Sequence, residues 1–150
     1  MTTINVYLTF NGNCEEAFIF YKSVFGGEFP YVGRYKEMPV EPGKEMSASD
    51  AEKIMHISLQ IGGDSILMGS DTGGEWASNF KPGNNFSISI SADSKESADK
   101  IFNGLASGGM ITMPLANTFW GDYFGMLTDK FGINWMMSYN ENAQKLKANG

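Results

Sequence analysis

The chain has 150 residues, 42% apolar and 13% aromatic, enough for one domain with a substantial core. A net charge of −6, with 11 Lys and Arg against 17 Asp and Glu, argues against the clustered basic surface a nucleic-acid partner needs. No run approaches the roughly 18 apolar residues of a membrane span, MTTINVYLTF does not read as a signal peptide, and the single Cys14 forms no internal disulfide; a cytoplasmic protein without a membrane partner is expected.

Residues 4–10, INVYLTF, are β-branched and aromatic and run into the turn-forming NGN, the pattern of a strand and its exit. A helix follows, with Asn13 as N-cap, Glu16 three residues on, and Ala17, Phe18, Tyr21, Val24 and Phe25 near helical spacing. Gly26 and Gly27 stop it. Phe29 to Tyr35 reads as a strand with Pro30 near its start, an edge or early strand position where the missing donor is tolerated. The polar segment 37–52, with two Pro and a Gly, reads as a surface loop without regular structure and as a lid. Ile54 to Ile61 and Ser65 to Ser70 form a hairpin around Gly62, Gly63 and Asp64. The stretch from Asp71 to Asn85 breaks the pattern, with Trp76 and Phe80 as anchors.

The same order then returns. Phe86 to Ser91 reads as a strand, and Asp93 or Ser94 caps a helix marked by Ala98, Ile101, Phe102 and Leu105 and ended by Gly108 and Gly109. Extended segments follow at Gly109 to Phe119, Tyr123 to Thr128 and Ile133 to Tyr139, then a polar tail from Glu141 that reads as a short helix. The expectation is a single α+β domain over 1–150, made of two tandem βαβββ modules at about 1–71 and 85–140 joined by a linker at 72–84. Matching the helices aligns Ala17 with Ala98, Tyr21 with Phe102 and Val24 with Leu105, and matching the last hairpins aligns Ile66, Leu67 and Met68 with Trp135, Met136 and Met137.

Three stretches, VYLTFNGNCEEAFIFYKSVFGGE, IMHISLQIGGDSILMGSD and MPLANTFWGDYFGMLTDKFGINWM, occur in order and span most of the chain. They resemble the PhnB-like branch of the glyoxalase/bleomycin-resistance/dioxygenase (vicinal oxygen chelate) superfamily. The resemblance implies a curved mixed sheet around a cleft, and a homodimer. Some members carry the label of a ubiquinone methyltransferase; no Gly-rich strand-to-helix turn of a nucleotide-like cofactor site supports it here. Fold alone does not fix the chemistry.

Metal-dependent members take His, Gln or Glu from the first and last strand of each half. That pattern falls here on Asn5 or Val6, Leu67, Ser87 and Met136; shifted by one, it falls on Tyr7, Met68, Ile88 and Met137. Neither set supplies the imidazole and carboxylate that zinc, nickel or iron prefer, so neither a metal site nor a cofactor is expected.

Among other candidates, His56 is the only histidine, a general base or ligand anchor sharing a face with Ser58 and Gln60 and matching Gly125 in the repeat. The same placement fits the wetter face of a half-buried strand. Cys14 lies in the first helical turn, where the dipole favours a thiolate and Glu15 and Glu16 oppose it, so it reads first as a packing residue. The run from Phe119 to Gly125 combines aromatics, two glycines and Asp122, the make-up of a small-ligand pocket and equally of a core turn. Trp120, Tyr123, Trp135 and Met68 are the candidate ligand-binding residues, with His56 and Asp122 the candidate catalytic pair. The leading expectation is a metal-free protein binding a small organic ligand in an aromatic cleft. The alternatives are a lyase, isomerase or dioxygenase-type enzyme using His56 or an unrecognised metal site, and a structural dimer with a plugged cleft.

Overall fold

Strand β1 (Val6–Phe10) alternates exposed and buried positions, with Leu8 and Phe10 turned to the core. Helix α1 (Cys14–Phe25) follows and buries Cys14, Ala17, Phe18 and Tyr21, one stripe at helical spacing. The computed structural model describes residues 1–142, without the side chains of Glu75 and Trp76. The expected C-terminal helix from 143 onward, and any anchoring by Trp76, lie outside the described residues. The chain divides into two compact units, Met1–Lys81 and Pro82–Gly150.

In the first unit β2 (Glu28–Arg34), β3 (Ile54–Ile61) and β4 (Ser65–Asp71) complete a four-stranded sheet in the order β1-β4-β3-β2. Strand β1 runs parallel to β4; the other pairs are antiparallel. Pro30 is tolerated because β2 is the edge. Segment 37–52 is not wholly irregular: a 3-10 turn covers Tyr35–Glu37, and α2 (Ala48–Ala51) starts where the Ser47 hydroxyl accepts from the Asp50 amide at 3.2 Å. Another 3-10 turn, Gly74–Asn79, lies in the stretch that reads as a linker.

Helix α1 packs on β3 and β4. The ring of Phe18 sits where a side chain at residue 69 would be, since a Cβ on Gly69 would lie 2.7 Å from Phe18 Cε2 and 2.9 Å from the Leu8 carbonyl oxygen. Phe10 and Tyr21 meet Phe18 edge-on, with ring centroids 6.2 and 5.8 Å away.

The start of α1 corrects the sequence reading. Asn13 holds the N-cap position, but its side chain makes no capping bond. Asp71, at the end of β4, takes that role: Oδ1 accepts from the Gly12 and Cys14 amides, and Oδ2 from the Ile54 amide, each at 2.9 Å. The carboxylate is only 2% exposed. A charged acceptor from another strand outcompetes the short Asn13 side chain at this helix end.

The second unit contains β5 (Ile88–Ser91), α3 (Lys95–Ala106), β6 (Met110–Asn117), β7 (Tyr123–Thr128) and β8 (Asn134–Tyr139), with sheet order β5-β8-β7-β6. Here Ser94 is the cap, its hydroxyl accepting from the Ser97 amide at 3.0 Å. Helix α3 buries Ala98, Phe102 and Leu105, and a Cβ on Gly125 would come 3.0 Å from Phe102 Cε2, so each helix rests an aromatic ring on a strand glycine. Asp129 closes the β7–β8 turn by accepting from the Phe131 and Ile133 amides at 2.8 and 3.1 Å and from Trp135 Nε1 at 2.8 Å.

Strand pairing also corrects the repeat register. Leu67 lies beside Leu59, and Trp135 beside Leu127, all buried, so Leu67 corresponds to Trp135 and Met68 to Met136, one residue off the sequence alignment. The counterpart of His56 becomes Phe124 instead of Gly125. Ile66 is 38% exposed and cannot share the environment of buried Trp135.

Two stability measurements follow from these contacts. Asp71→Ala strands three backbone donors and is expected to lower the unfolding free energy in urea by about 3 kcal/mol or more, whereas Asn13→Ala is expected to change it by less than about 0.5 kcal/mol. The Tyr123 hydroxyl donates a short hydrogen bond to Asp99 Oδ1 on α3, and that bond, then burial and the carboxylate's charge, push its pKa up from the ordinary value. A folded pKa above the unfolded one contributes stability that is full below about pH 10 and lost as pH rises through the folded value. The stability advantage of the native protein over Tyr123→Phe is therefore expected to hold to about pH 10 and to shrink above it.

Candidate functional site

With α1 on one face of the first sheet, strand alternation leaves the other face open. Register sets Tyr7 beside Met68, Met68 beside Ser58, and Ser58 beside Tyr31, one row across all four strands. His56 lies two residues from Ser58 on the same face. Its Nδ1 is 3.1 Å from the Tyr7 hydroxyl, and its ring centroid lies 5.5 Å from that of Tyr7 and 5.8 Å from that of Tyr31. Gly33, paired with His56 across the strands, makes this possible: a Cβ there would be 2.6 Å from the Tyr31 hydroxyl. Tyr7 and Tyr31 are 47% and 48% exposed, so the three rings form a surface cluster and not a core.

The residues singled out in the second unit separate into two groups. Trp135 is 3% exposed and bonded to Asp129, and Tyr123 reaches α3, where the Lys95 ammonium lies 4.8 Å from its ring centroid. Both belong to the helix side of their sheet. The open side carries Met113, Met126 and Met136, cross-strand neighbours in one row, with Ser89 beside Met136. Phe124 lies one step along, and Trp120 in the β6–β7 turn meets it edge-on at 5.9 Å.

Asp122 has both carboxylate oxygens engaged, Oδ2 by Trp120 Nε1 at 2.8 Å and Oδ1 by Asn140 Nδ2 at 2.7 Å. Its backbone is tied to Thr118, whose amide donates to the Asp122 carbonyl at 2.8 Å. The arrangement holds a turn that presents Trp120. His56 lies in the first unit and Asp122 in the second.

Cys14 is fully buried, and burial, then the carboxylates of Asp71 and Glu15, push its thiol pKa up, away from the thiolate needed for attack. A cavity of about 380 Å³ opens beneath the 38–46 loop, with Tyr35, Met38, Val40, Lys44, Met46 and Asp50 in its wall. Its polar groups are spoken for: Lys53 bonds Asp50 at 2.7 Å, Lys44 pairs with Glu41 at 3.3 Å, and the Tyr35 hydroxyl donates to the Asp71 carbonyl at 2.6 Å. The loop thus walls a cavity lined by neither His56 nor Met68.

In the first and last strand of each unit, the paired open-face positions are Tyr7 and Met68 in the first unit and Ser89 and Met136 in the second. The first pair follows the shifted register of the sequence reading; in the second unit Met136 follows the unshifted one. A phenol, two thioethers and a hydroxyl do not fit manganese, zinc or iron, which take carboxylate and imidazole. Among the described residues, no three His, Cys, Asp or Glu side chains cluster closely enough to hold a metal ion. No described helix is long and apolar enough to cross a membrane.

Residues 2–138 match the 3-demethylubiquinone-9 3-methyltransferase family. Protein YjdN of Escherichia coli (strain K12) is 31% identical over 141 residues, covering 90% of this chain and 93% of that protein. The structure of PA1353 from Pseudomonas aeruginosa is 37% identical with a TM-score of 0.77, covering 93% of this chain and 98% of that one. The PhnB protein from Bacillus cereus is 30% identical with a TM-score of 0.68, covering 92% and 99%. The fosfomycin resistance protein FosX from Listeria monocytogenes, solved with Mn(II) and sulfate, shares the fold alone: 10% identity, a TM-score of 0.62 and 97% of each chain. Two βαβββ units and matches of this extent establish that the chain belongs to the 3-demethylubiquinone-9 3-methyltransferase family, that of the PhnB protein, and has the fold of glyoxalase/bleomycin-resistance/dioxygenase proteins.

Proposed function

We propose that the protein binds a small organic ligand on the aromatic open face of its sheet, without a metal ion, and does so as a homodimer. The row Tyr7, Met68, Ser58, Tyr31 with His56 beside it carries this reading. Two phenol rings and a thioether give a planar, adaptable apolar contact, while the imidazole and hydroxyls give it direction. Met126, Met136, Phe124 and Trp120 offer a similar surface on the second sheet. Of the expected ligand-binding residues, Met68 and Trp120 keep that role here; Tyr123 and Trp135 serve the helix side.

Metal independence is supported by the side chains at the four ligand positions. A homodimer is supported by apolar exposure: Met110, Ile111 and Met113 of edge strand β6 are 65%, 46% and 43% exposed, and Phe86 57%. The methyltransferase activity in the family's description draws no support from the strand-to-helix turns, NGN after β1 and ADS after β5, neither of them glycine-rich. An enzyme is the second reading, favoured by the 3.1 Å contact between Tyr7 and His56. In it His56 works with Tyr7, because the carboxylate of Asp122 is already engaged by Trp120 and Asn140.

Anilinonaphthalene sulfonate, a planar aromatic probe, is expected to bind the native protein equally with and without EDTA. Tyr31→Ala and Met68→Ala are each expected to weaken it about three- to tenfold, about 0.6–1.4 kcal/mol, with folding intact. A requirement for stoichiometric metal, or affinity indifferent to both substitutions, would sink this reading. Sedimentation equilibrium is expected to give twice the chain mass.

A further inference from the structure

We infer that the loop between β2 and β3 forms a second binding site, separate from the open face, for a small uncharged molecule of alicyclic or branched aliphatic type.

Residues 36–52 leave the sheet and return to their starting point. The Tyr35 amide donates to the Lys53 carbonyl at 3.1 Å, the Arg34 guanidinium to the Glu52 carbonyl at 2.8 Å, and the Lys36 ammonium pairs with Glu52 at 3.0 Å. A loop closed at its base in this way is ordinarily filled by its own side chains. Its tip is stiff: the Lys44 amide donates to the Glu41 carbonyl at 3.0 Å across Pro42 and Gly43, and Gly43 has φ +81°, the proline and glycine placement of a type II turn. The closed base and the fixed turn hold the loop up, and a cavity of about 380 Å³ lies beneath it. That volume falls in the range that takes a small molecule.

The wall selects the ligand. Met38, Val40 and Met46 border the cavity, and at 40%, 60% and 38% exposure they belong to no core. A molecule that covers them removes apolar surface from water. Two flexible thioethers and a branched side chain adapt to a rounded shape, and Tyr35 supplies a single ring, without a second face for stacking. The charged groups in the wall are already paired, Asp50 with Lys53 at 2.7 Å and Lys44 with Glu41 at 3.3 Å, so an ionic ligand would have to displace a partner. The Tyr35 hydroxyl gives its one proton to the Asp71 carbonyl at 2.6 Å and retains acceptor capacity alone. An alcohol or a hydrocarbon therefore suits this wall better than an acid or an amine. Neither His56 nor Met68 lines the cavity, so this site stands or falls independently of the open-face reading.

The probe is 1-adamantanol, a compact alicyclic alcohol, titrated into protein carrying methyl-labelled methionine. Binding is expected at a Kd of about 0.1–1 mM, with the methyl resonances of Met38 and Met46 shifting and that of Met68 unmoved. Met46→Asp, a change on an exposed loop, is expected to weaken binding about tenfold or more, and Met46→Leu to keep it within about twofold. Tyr31→Ala is expected to leave it unchanged. Adamantane-1-carboxylate and 1-adamantylamine are each expected to bind about tenfold more weakly than the alcohol. No binding to the native protein, affinity that survives Met46→Asp, or affinity lost in Tyr31→Ala would overturn the site. Equal binding of either charged analogue would overturn the ligand class. Matched urea midpoints for the variants separate a lost site from a lost fold.

Discussion

The carboxylate of Asp71 fixes the first unit. Its two oxygens receive three backbone N–H groups from Gly12, Cys14 and Ile54, so the loop before α1, the first turn of α1 and the start of β3 all converge on the end of β4. Bonds to a charged acceptor contribute about 1.5–3 kcal/mol each, and a buried acceptor of this kind cannot exchange partners with water. With the first turn of α1 pinned, the Phe18 ring comes down on Gly69, and every second residue of β1, β3 and β4 turns toward the helix. The opposite face is left uncovered by the helix. Asp129 does related work in the second unit, but within one turn and with Trp135 as its third donor, which makes Trp135 a core clamp and not a ligand contact.

What the open face offers follows from that division. Leu8, Ile57, Leu59 and Leu67 carry the burial, leaving Tyr7, Met68 and Tyr31 to meet whatever approaches the sheet, with Ser58 between them only 8% exposed. Because Gly33 lacks a side chain, the edge strand can lean a tyrosine over its own backbone toward His56 instead of walling the imidazole off. Glycine thus serves both faces: at residue 69 it admits the helix, and at residue 33 it admits a ring to the site.

Local patterns were legible in the sequence, and long-range ones were not. The stripe of α1, the glycine stops, the β3–β4 hairpin and the Ser94 cap all depend on residues within a few positions, as do the three stretches that carry the family resemblance. The Asp71 cap spans 57 residues to Cys14, and the Tyr7–His56 contact spans 49, so neither has a spacing that a reader can recognise. Helix α2, four residues behind Ser47, was too short to show a period. The register error has another cause. Ile66 to Met68 and Trp135 to Met137 are unbroken apolar runs, and without alternation nothing in the run marks which face a residue takes. The signal that fixes the parity is the pair of strand glycines, 69 and 125, each lying under a helix aromatic, Phe18 or Phe102. Reading those glycines as landing sites sends Trp135 to the core and Met68 to the open face.

A shared fold with FosX, solved with Mn(II), leaves the chemistry of this chain to its own side chains. A metal site concentrates charge: a dication and its carboxylates must be desolvated together, and each compensates the other. Replacing those donors with a phenol, thioethers and hydroxyls removes the cation's polarising power and also the need to hold carboxylates in place against their own hydration. A surface of neutral donors and acceptors then works through direction instead of charge, in bonds of about 0.5–1.5 kcal/mol each. Such a surface binds weakly at any one contact, so its selectivity must come from shape and from placing a donor and an acceptor next to each other. Tyr7 and His56, in contact at 3.1 Å, are the pair on the first sheet that meets this requirement.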